Sequence, residues 1–276
     1  MSKIYDNKVY VIENVTNLHV GSGEANFGIV DNGVQRDVLT NYPIIHSSSL
    51  KGAIREYFEF YKNDNDFIRH IFGDEDKNQG NVKFNDAFLF GMPFRSKDYP
   101  YLFCISDMSI EMFLDILNDF AIDSSVKNSL KDYISLNEIK SNVSTIVEDL
   151  EITKNDSLKE LKEFLNEENI AILPHKEYEK LLRDLPVVAR NELKNGESKN
   201  LFYEEFVPRR SKFFTIFSFP ILERVTNDTR FNDKEEIPKF YNEFQNMITS
   251  ETNLVQIGAN ASIGYGLCKF KEVKWE

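Results

Sequence analysis

The chain has 276 residues and a net charge of −12, and 41% of its residues are hydrophobic. This apolar content is enough for a sizeable core, in one large domain or in one domain with a substantial insertion. The sequence has neither an apolar run of roughly 20 residues nor an apolar N-terminal region, so we exclude a membrane span and a secretory signal and expect a cytoplasmic protein.

The chain is predicted to begin with a strand and to continue into a helix. Residues 8–20 are rich in β-branched and aromatic side chains, which favours a half-buried strand. The glycines that follow permit backbone conformations that other residues avoid, so we expect a loop from Gly21 to about Val38. Apolar residues then recur at helical spacing from Leu50 to Tyr61, and the three serines at 47–49 are expected to supply the N-cap.

An acidic segment interrupts the middle of the chain. Before it, the pattern predicts a short helix from Asp64 to Phe72 and a strand from Val82 to Phe90. Residues 107–168 then include 15 Asp or Glu and 6 Lys, a net charge of −9, and their apolar spacing predicts helices. Ser157 and Glu160 match a capping box. We therefore assign residues 107–184 to an inserted helical subdomain, which leaves the rest of the chain close to neutral and able to form a local basic groove.

The last third of the chain is predicted to return to strands. They are expected at 186–193 and 201–221, with a turn at Asn195-Gly196 between them. An amphipathic helix at 237–248, a strand near 253–257, a glycine-rich loop at 258–266 and a strand at 267–275 follow. Without the insertion this order suits an α+β, ferredoxin-like (RRM-like) core made of residues 1–106 and 185–276.

Two segments are candidate phosphate contacts. A helix N-terminus presents unpaired N–H groups and a partial positive charge, and Lys51 and Arg55 add full charges behind Ser49. The loop GANASIGYG places Gly258, Gly264 and Gly266 between two strands, where a backbone can approach a ligand closely. The alternatives are an ordinary capped helix with solvated basic residues and a long hairpin loop.

The loop at 28–37 carries a candidate catalytic acid. Cleavage of RNA by its own 2′-OH needs activation of that hydroxyl, charge near the phosphorane and a splayed-out geometry. An Asp31 carboxylate holding Mg²⁺ would meet the first two needs, although a lone aspartate in a loop is most often a turn residue.

Other titratable residues form no recognisable pattern. The four histidines are scattered, and the two cysteines form no C-x-x-C pair, so neither a zinc site nor a disulfide framework is expected. His19 could serve as an accessory acid or base, with a structural role as the alternative. Glu204 and Glu205 are adjacent on a predicted strand, so only one of them can face a given site.

Several segments, in this order, resemble the RAMP superfamily of CRISPR proteins. The general features are the SSLKG helix start and the terminal glycine loop, and the GIVDNGVQRD and VVARN…LFYEE stretches resemble more narrowly the backbone subunit of the Cmr-type, or type III-B, effector complex. The resemblance extends over both ends and the middle of the chain. The acidic insertion carries little of it.

The resemblance implies an RNA-guided endoribonuclease that is active within the assembled complex in antiviral defence. Several copies would stack along one crRNA beside other Cmr-type subunits, and Arg36, Ser49, Lys51, Arg55 and the loop glycines would hold RNA. A β-hairpin thumb at about 190–215 would kink the guide–target duplex, and Asp31 would hold Mg²⁺ and drive cleavage of the target single-stranded RNA at regular intervals. A non-cutting guide-RNA scaffold, the related Csm-type (type III-A) subunit and an unrelated α+β metabolic enzyme are the competing interpretations.

Overall fold

The computed structural model describes residues 4–23, 30–74, 79–122, 126–134, 138–194, 197–221 and 236–274. The strands are β1 (Tyr5–Asn14), β2 (Ile44–Ile45), β3 (Lys83–Phe84), β4 (Ala87–Phe94), β5 (Leu102–Ser106), β6 (Lys140–Ser141), β7 (Thr145–Val147), β8 (Leu150–Ile152), β9 (Ile170–Leu173), β10 (Val187–Lys194), β11 (Glu197–Glu205), β12 (Lys212–Pro220), β13 (Val255–Gln256) and β14 (Leu267–Glu272). The helices are α1 (Ser47–Lys62), α2 (Asn65–Phe72), α3 (Asp107–Asp119), α4 (Val126–Lys131), α5 (Lys159–Leu165), α6 (His175–Arg183) and α7 (Glu236–Ile248).

The chain divides into two compact units. The first unit comprises Met1–Val20, Ile45–Ala87 and Phe214–Val273, and the second comprises Gly21–Ile44, Phe88–Phe213 and Lys274–Glu276. Within the described ranges, no helix is both long and apolar enough to cross a membrane.

The first unit packs helices on antiparallel strands around an aromatic core. Strands β13, β14, β1 and β12 lie side by side in that order, and β3 pairs with β12. The rings of Phe58 in α1 and Phe244 in α7 stack with centroids 5.1 Å apart, and Tyr10 meets Phe217 at 4.7 Å. Aromatic pairs at these distances add to the stability gained from burial alone.

The second unit has its own strands in the order β4, β5, β9 and β6. The β4–β5 and β9–β6 pairs are antiparallel, whereas β5 and β9 are parallel. Helices α3 and α6 contact β5. All five residues of β5 and all four of β9 are buried, as expected for strands covered on both faces.

A two-stranded hairpin, β10–β11, belongs to the second unit. Its register pairs Val188 with Glu204 and Ala189 with Tyr203. Most of the described side chains on the hairpin are exposed, and only Glu204 and Glu205, at the end of β11, are buried.

The predicted α+β class is confirmed, as are the helices at 50–61, 64–72 and 237–248 within one to three residues. Helix α2 begins after Asp64, whose carboxylate accepts the Asp66 and Phe67 N–H groups, and it ends at Gly73. The predicted turn at Asn195-Gly196 lies outside the described residues.

Both serine caps were predicted wrongly. The serines at 47–49 lie inside α1, whose N-cap is His46 without a side-chain hydrogen bond. At α5 the N-cap is Leu158, and Glu160 accepts a hydrogen bond from the Tyr133 hydroxyl instead of closing a capping box. In both cases a tertiary contact replaces the local one.

The predicted strands were also too long, and some were missed. The 82–90 strand is divided into β3 and β4, and the 201–221 strand is divided where Pro208 and two arginines separate β11 from β12. The hairpin lies at 187–205 and ends before that break. Segment 107–184 contains the strands β6–β9 besides its helices, and two of them join the sheet of the second unit.

Candidate nucleic-acid interface

The start of α1 meets a carboxylate of its own unit. The Ser47 N–H donates to Asp86 Oδ1 at 2.6 Å, and His46 lies 3.9 Å from the other oxygen of Asp86. The negative charge of Asp86 therefore already complements the helix dipole at the first N–H group. Ser48 is exposed and Ser49 is half-buried in the next positions.

Lys51 and Arg55 follow one helical turn apart. Partial burial, and then repulsion from Arg55, lower the pKa of Lys51 below the usual lysine value. Arg55 forms an ion pair with Glu59, with Nε 2.6 Å from Oε1. No Cβ at Gly52 would meet another atom within 4 Å, so the helix surface beside Lys51 is open.

The glycine loop is held by its own backbone. Gly258, Gly264 and Gly266 have φ of 79°, 80° and 76°, in the left-handed region that favours glycine. A Cβ at Gly258 would lie 2.3 Å from the His19 carbonyl oxygen, and one at Gly266 would lie 2.0 Å from the Ile257 oxygen. A Cβ at Gly264 would meet nothing within 4 Å. The outer two glycines therefore close the loop on the protein, and the tip at Gly264 is open.

His19 lies at the base of this loop. Its carbonyl accepts the Ala259 N–H at 2.9 Å, and the residue is only 4% exposed. Helix α1 contacts β13, the strand that leads into the loop. The first unit thus brings together His19, the glycine loop and the strand beside α1.

The second unit holds Asp31 against the hairpin. Asp31 is exposed, and its Oδ2 accepts the Tyr203 N–H at 2.7 Å. The N–H groups of Asp31 and Asn32 donate in return to the Tyr203 carbonyl at 3.0 and 3.1 Å. Residues 30–44, called the Asp31 segment below, therefore run beside the end of β11 and present a carboxylate there.

Arg36 and Glu205 form an ion pair beneath the Asp31 segment. Arg36 Nη2 lies 2.5 Å from Glu205 Oε1, and Glu205 Oε2 accepts the Val34 N–H at 3.0 Å. The two side chains are 22% and 10% exposed. Such an enclosed, charge-assisted contact holds the segment to β11.

Glu204 turns to a different partner. Its Oε1 lies 2.7 Å from Nε of Arg190 on the opposite strand of the hairpin. The two adjacent glutamates thus serve separate contacts, as the alternation of side chains along a strand requires. The predicted residues Asp31, Arg36, Glu204 and Glu205 all lie together around the end of β11.

The described residues offer a divalent cation little besides Asp31. No group of three or more His, Cys, Asp or Glu among them could hold a metal ion. Mg²⁺ often binds to one or two carboxylates together with substrate phosphates and water. The single exposed carboxylate of Asp31 fits this pattern, in which a nucleic acid supplies the other ligands.

Several residues of these sites were not predicted. Asp86 at the α1 start and Tyr203 beside Asp31 act through contacts that are distant in sequence. Tyr42 contacts the first residue of α6, as described below. No local spacing marks these residues, because a hydrogen bond between distant segments leaves no periodic pattern.

Comparison with known proteins gives one family and near full-length relatives. The chain matches the RAMP superfamily over residues 11–269. It is 27% identical to the CRISPR system Cmr endoribonuclease Cmr4 of Pyrococcus furiosus, over 94% of each chain, and 28% identical to the CRISPR system CMR subunit Cmr4 of Saccharolobus solfataricus, over 97% of this chain and 96% of that one. A chain in the cryo-EM structure of the type III-B Cmr-beta bound to cognate target RNA has a similar fold, with a TM-score of 0.80, 21% identity and 98% of each chain covered.

Proposed function

This chain belongs to the RAMP superfamily, and from that membership we propose that it is the backbone subunit of a type III-B, Cmr-type CRISPR ribonucleoprotein. It binds crRNA and cleaves complementary target RNA at regular intervals in antiviral defence. The observation that carries the proposal is the similarity to two Cmr4 proteins over more than nine-tenths of each chain. A match of that extent spans nearly the whole chain rather than one shared motif.

Guide RNA contacts are assigned to the first unit. Lys51 lies one turn into α1, behind Ser49, and Arg55 extends the basic stripe. The open tip at Gly264 allows a ribose-phosphate strand to approach the backbone, whereas Gly258 and Gly266 shape the loop. Contacts of this kind recognise backbone shape and leave sequence recognition to base pairing with the guide.

Target cleavage is assigned to Asp31. Its carboxylate is exposed and is fixed by two-way backbone hydrogen bonds to Tyr203 on the hairpin. A hairpin that acts as a thumb and bends the paired strands would splay the target there, which in-line attack by a 2′-OH requires. Asp31 then accepts the hydroxyl proton or orients a metal ion, and His19, Glu204 and Glu205 are accessory residues at most.

Mg²⁺ is the proposed cofactor, and Asp31 is the residue that would hold it. When bound, it would supply positive charge at the phosphorane. The hydrogen bonds between Asp31 and Tyr203 hold the Asp31 carboxylate in position.

The assembly contains several copies of this chain, other Cmr-type subunits, crRNA and target RNA, in the cytoplasm. Residues 1–106 and 185–276 form a ferredoxin-like core, with residues 107–184 as an insertion and β10–β11 as the thumb. We expect the isolated chain to be inactive, because one copy cannot bend a guide–target duplex. Regularly spaced cutting by the lone chain would contradict this.

The decisive variant is Asp31→Asn in the assembled complex. Asparagine keeps an oxygen for the Tyr203 N–H but removes the negative charge, so local structure is retained. We expect the rate of target cleavage to fall at least about a hundredfold, with guide content and target affinity unchanged. The matched control is Asp149→Asn at an exposed turn of the same unit, which should cleave normally.

Three competing functions give different results. Full-rate target cleavage by the complex that carries Asp31→Asn would show that Asp31 is not the catalytic acid, and would favour a chain that holds guide RNA without cutting. Copurification with Csm-type partners would assign the chain to a type III-A complex. Recovery from the host without short, uniform RNA would favour a metabolic enzyme, and sequencing of any bound RNA tests this directly.

A further inference from the structure

We propose that Arg36 and Tyr42 are positioning residues that attach the Asp31 segment to α6. This helix of the insertion thereby fixes the position of Asp31 for target cleavage. The proposal rests on the proposed role of Asp31. It assigns a function to a helix within the inserted segment.

Arg36 connects the Asp31 segment to two other elements. Its guanidinium meets Glu205 at the end of β11, the Asn41 carbonyl at 3.0 Å and, at 3.5 Å from both terminal nitrogens, the Leu182 carbonyl near the end of α6. The five N–H donors of a guanidinium are spread over three nitrogens in a rigid plane, whereas the three donors of a lysine all leave one nitrogen and cannot reach acceptors on both sides of such a fork. The donors of Arg36 are therefore directed into the protein.

Tyr42 connects the segment to the beginning of the same helix. Its hydroxyl lies 2.6 Å from Nδ1 of His175, the first residue of α6, and donates to Ser106 Oγ at 2.9 Å. Ser106 in turn donates to the Asp107 carboxylate at 3.2 Å. A consistent ordering has His175 donating to Tyr42, Tyr42 to Ser106 and Ser106 to Asp107, so every hydroxyl proton is used.

Burial strengthens this chain of hydrogen bonds. Tyr42 is 2% exposed and Ser106 is fully buried. The Tyr42 ring also meets the Tyr178 ring of α6 edge-on, with centroids 5.3 Å apart. Burial raises the pKa of the Tyr42 hydroxyl well above its usual range, so it stays protonated and keeps donating.

The two anchors lie at opposite ends of α6. A helix of nine residues is roughly 13 Å long, and the Asp31 segment is attached near its first residue and near its last. Because a helix does not stretch, attachment at both ends fixes the path of the segment between β11 and α6. Asp31 lies in the same segment and inherits that placement through Val34 and Arg36, which both contact Glu205.

The test uses assembled complexes with Arg36→Lys and Tyr42→Phe. Each variant should lower the single-turnover rate of target cleavage about tenfold, while KM for target and the guide content stay within twofold. Amide hydrogen exchange at Asp31 and Asn32, whose N–H groups bond to Tyr203, should become faster by a similar factor in both variants. His175→Asn, which retains a donor near the Nδ1 position, should keep most of the activity that His175→Ala loses.

Matched controls separate positioning from general damage. Arg183→Lys makes the same chemical change on an exposed arginine next to Leu182, and Tyr61→Phe removes a hydroxyl from an exposed tyrosine, so both should behave as the parent.

Two results would overturn the proposal. One is unchanged cleavage and unchanged exchange in both variants. The other is an Arg36→Lys variant that weakens RNA affinity with exchange unaltered, since that pattern marks a direct contact between Arg36 and RNA. Asp31→Asn, measured in parallel, reports on the proposed function itself: if it cleaves normally, that function fails, and the exchange data still decide whether α6 fixes the segment.

Discussion

In the glycine loop of the first unit, positive φ angles and close backbone approaches set the conformation, whereas in the second unit buried charges hold the Asp31 segment and the hairpin. The loop has four residues with positive φ, the three glycines and Asn260, and two close approaches between backbone atoms. The second unit uses ion pairs instead, at Arg36–Glu205, Arg190–Glu204 and Lys212–Glu167. Of the predicted RNA contacts, the loop tip at Gly264 is therefore open to a ligand, whereas Arg36 is already engaged by other residues of the protein.

Substitution of Glu167 is the strongest test of how much buried charge stabilises the second unit. This residue is 4% exposed, lies 2.5 Å from Lys212 and 3.2 Å from Arg210, and accepts a hydrogen bond from the Tyr101 hydroxyl. Glu167→Gln leaves Lys212 buried without its counter-charge, and we expect a loss of about 3–5 kcal/mol in the free energy of unfolding.

The neighbouring Glu168 provides the control for that measurement. Its side chain is 92% exposed, so Glu168→Gln should change stability by less than about 0.5 kcal/mol. Chemical denaturation of both variants gives the comparison. Equal stability of the two would mean that buried charge does not hold this part of the second unit.

Substitutions at two glycines test how much close backbone contacts stabilise the glycine loop. In Gly266→Ala the new Cβ would meet the Ile257 oxygen at 2.0 Å in addition to the strain of positive φ, so we expect a loss of about 3 kcal/mol. In Gly264→Ala only the strain applies, and the expected loss is about 1 kcal/mol. Thermal denaturation measures both, and equal losses would show that the close approach at Gly266 relaxes freely.

Asp86 extends the comparison of the two units, because it is a carboxylate that lies in the first unit, beside the start of α1. Asp86→Asn keeps an oxygen for the Ser47 N–H but removes a negative charge from the start of α1. If guide phosphate approaches this helix start, affinity for guide RNA should rise about two- to fivefold at low salt. Asp6→Asn, an equal charge change at an exposed site of the same unit, should alter it less. A gain of the same size in both variants would mean that only net charge matters.

Much of the fold could be predicted from local patterns. Helix α1 was identified from apolar residues at helical spacing, and α2 from Asp64 and Gly73 at its ends. The short buried strand β9 was missed, because four apolar residues inside an acidic, helix-rich segment have no distinguishing period. The boundary between β11 and β12 was missed although Pro208 stands there, since the flanking apolar residues outweighed one break.

The candidate site was predicted in part, for the same reason. Asp31 was singled out as an acid in a loop, but its catalytic role was implied only by the family resemblance, and the glycines were singled out by their spacing. The engagement of Arg36 with Glu205 and α6, and the carboxylate of Asp86 at the α1 start, involve residues 39 to 169 positions apart. Nothing in the spacing of the chain connects such residues.

The sequence by itself determined the helices, the positive-φ glycines and the residue types able to contact phosphate, because these depend on interactions within a few residues. Only the tertiary structure decided which of those residues are exposed and which are engaged by other parts of the protein, since that depends on segments that meet only after folding. Arg36 illustrates this difference between sequence and structure. Its charge is known from the sequence, whereas its partners, Glu205 and the Leu182 carbonyl, are determined by the packing of the second unit.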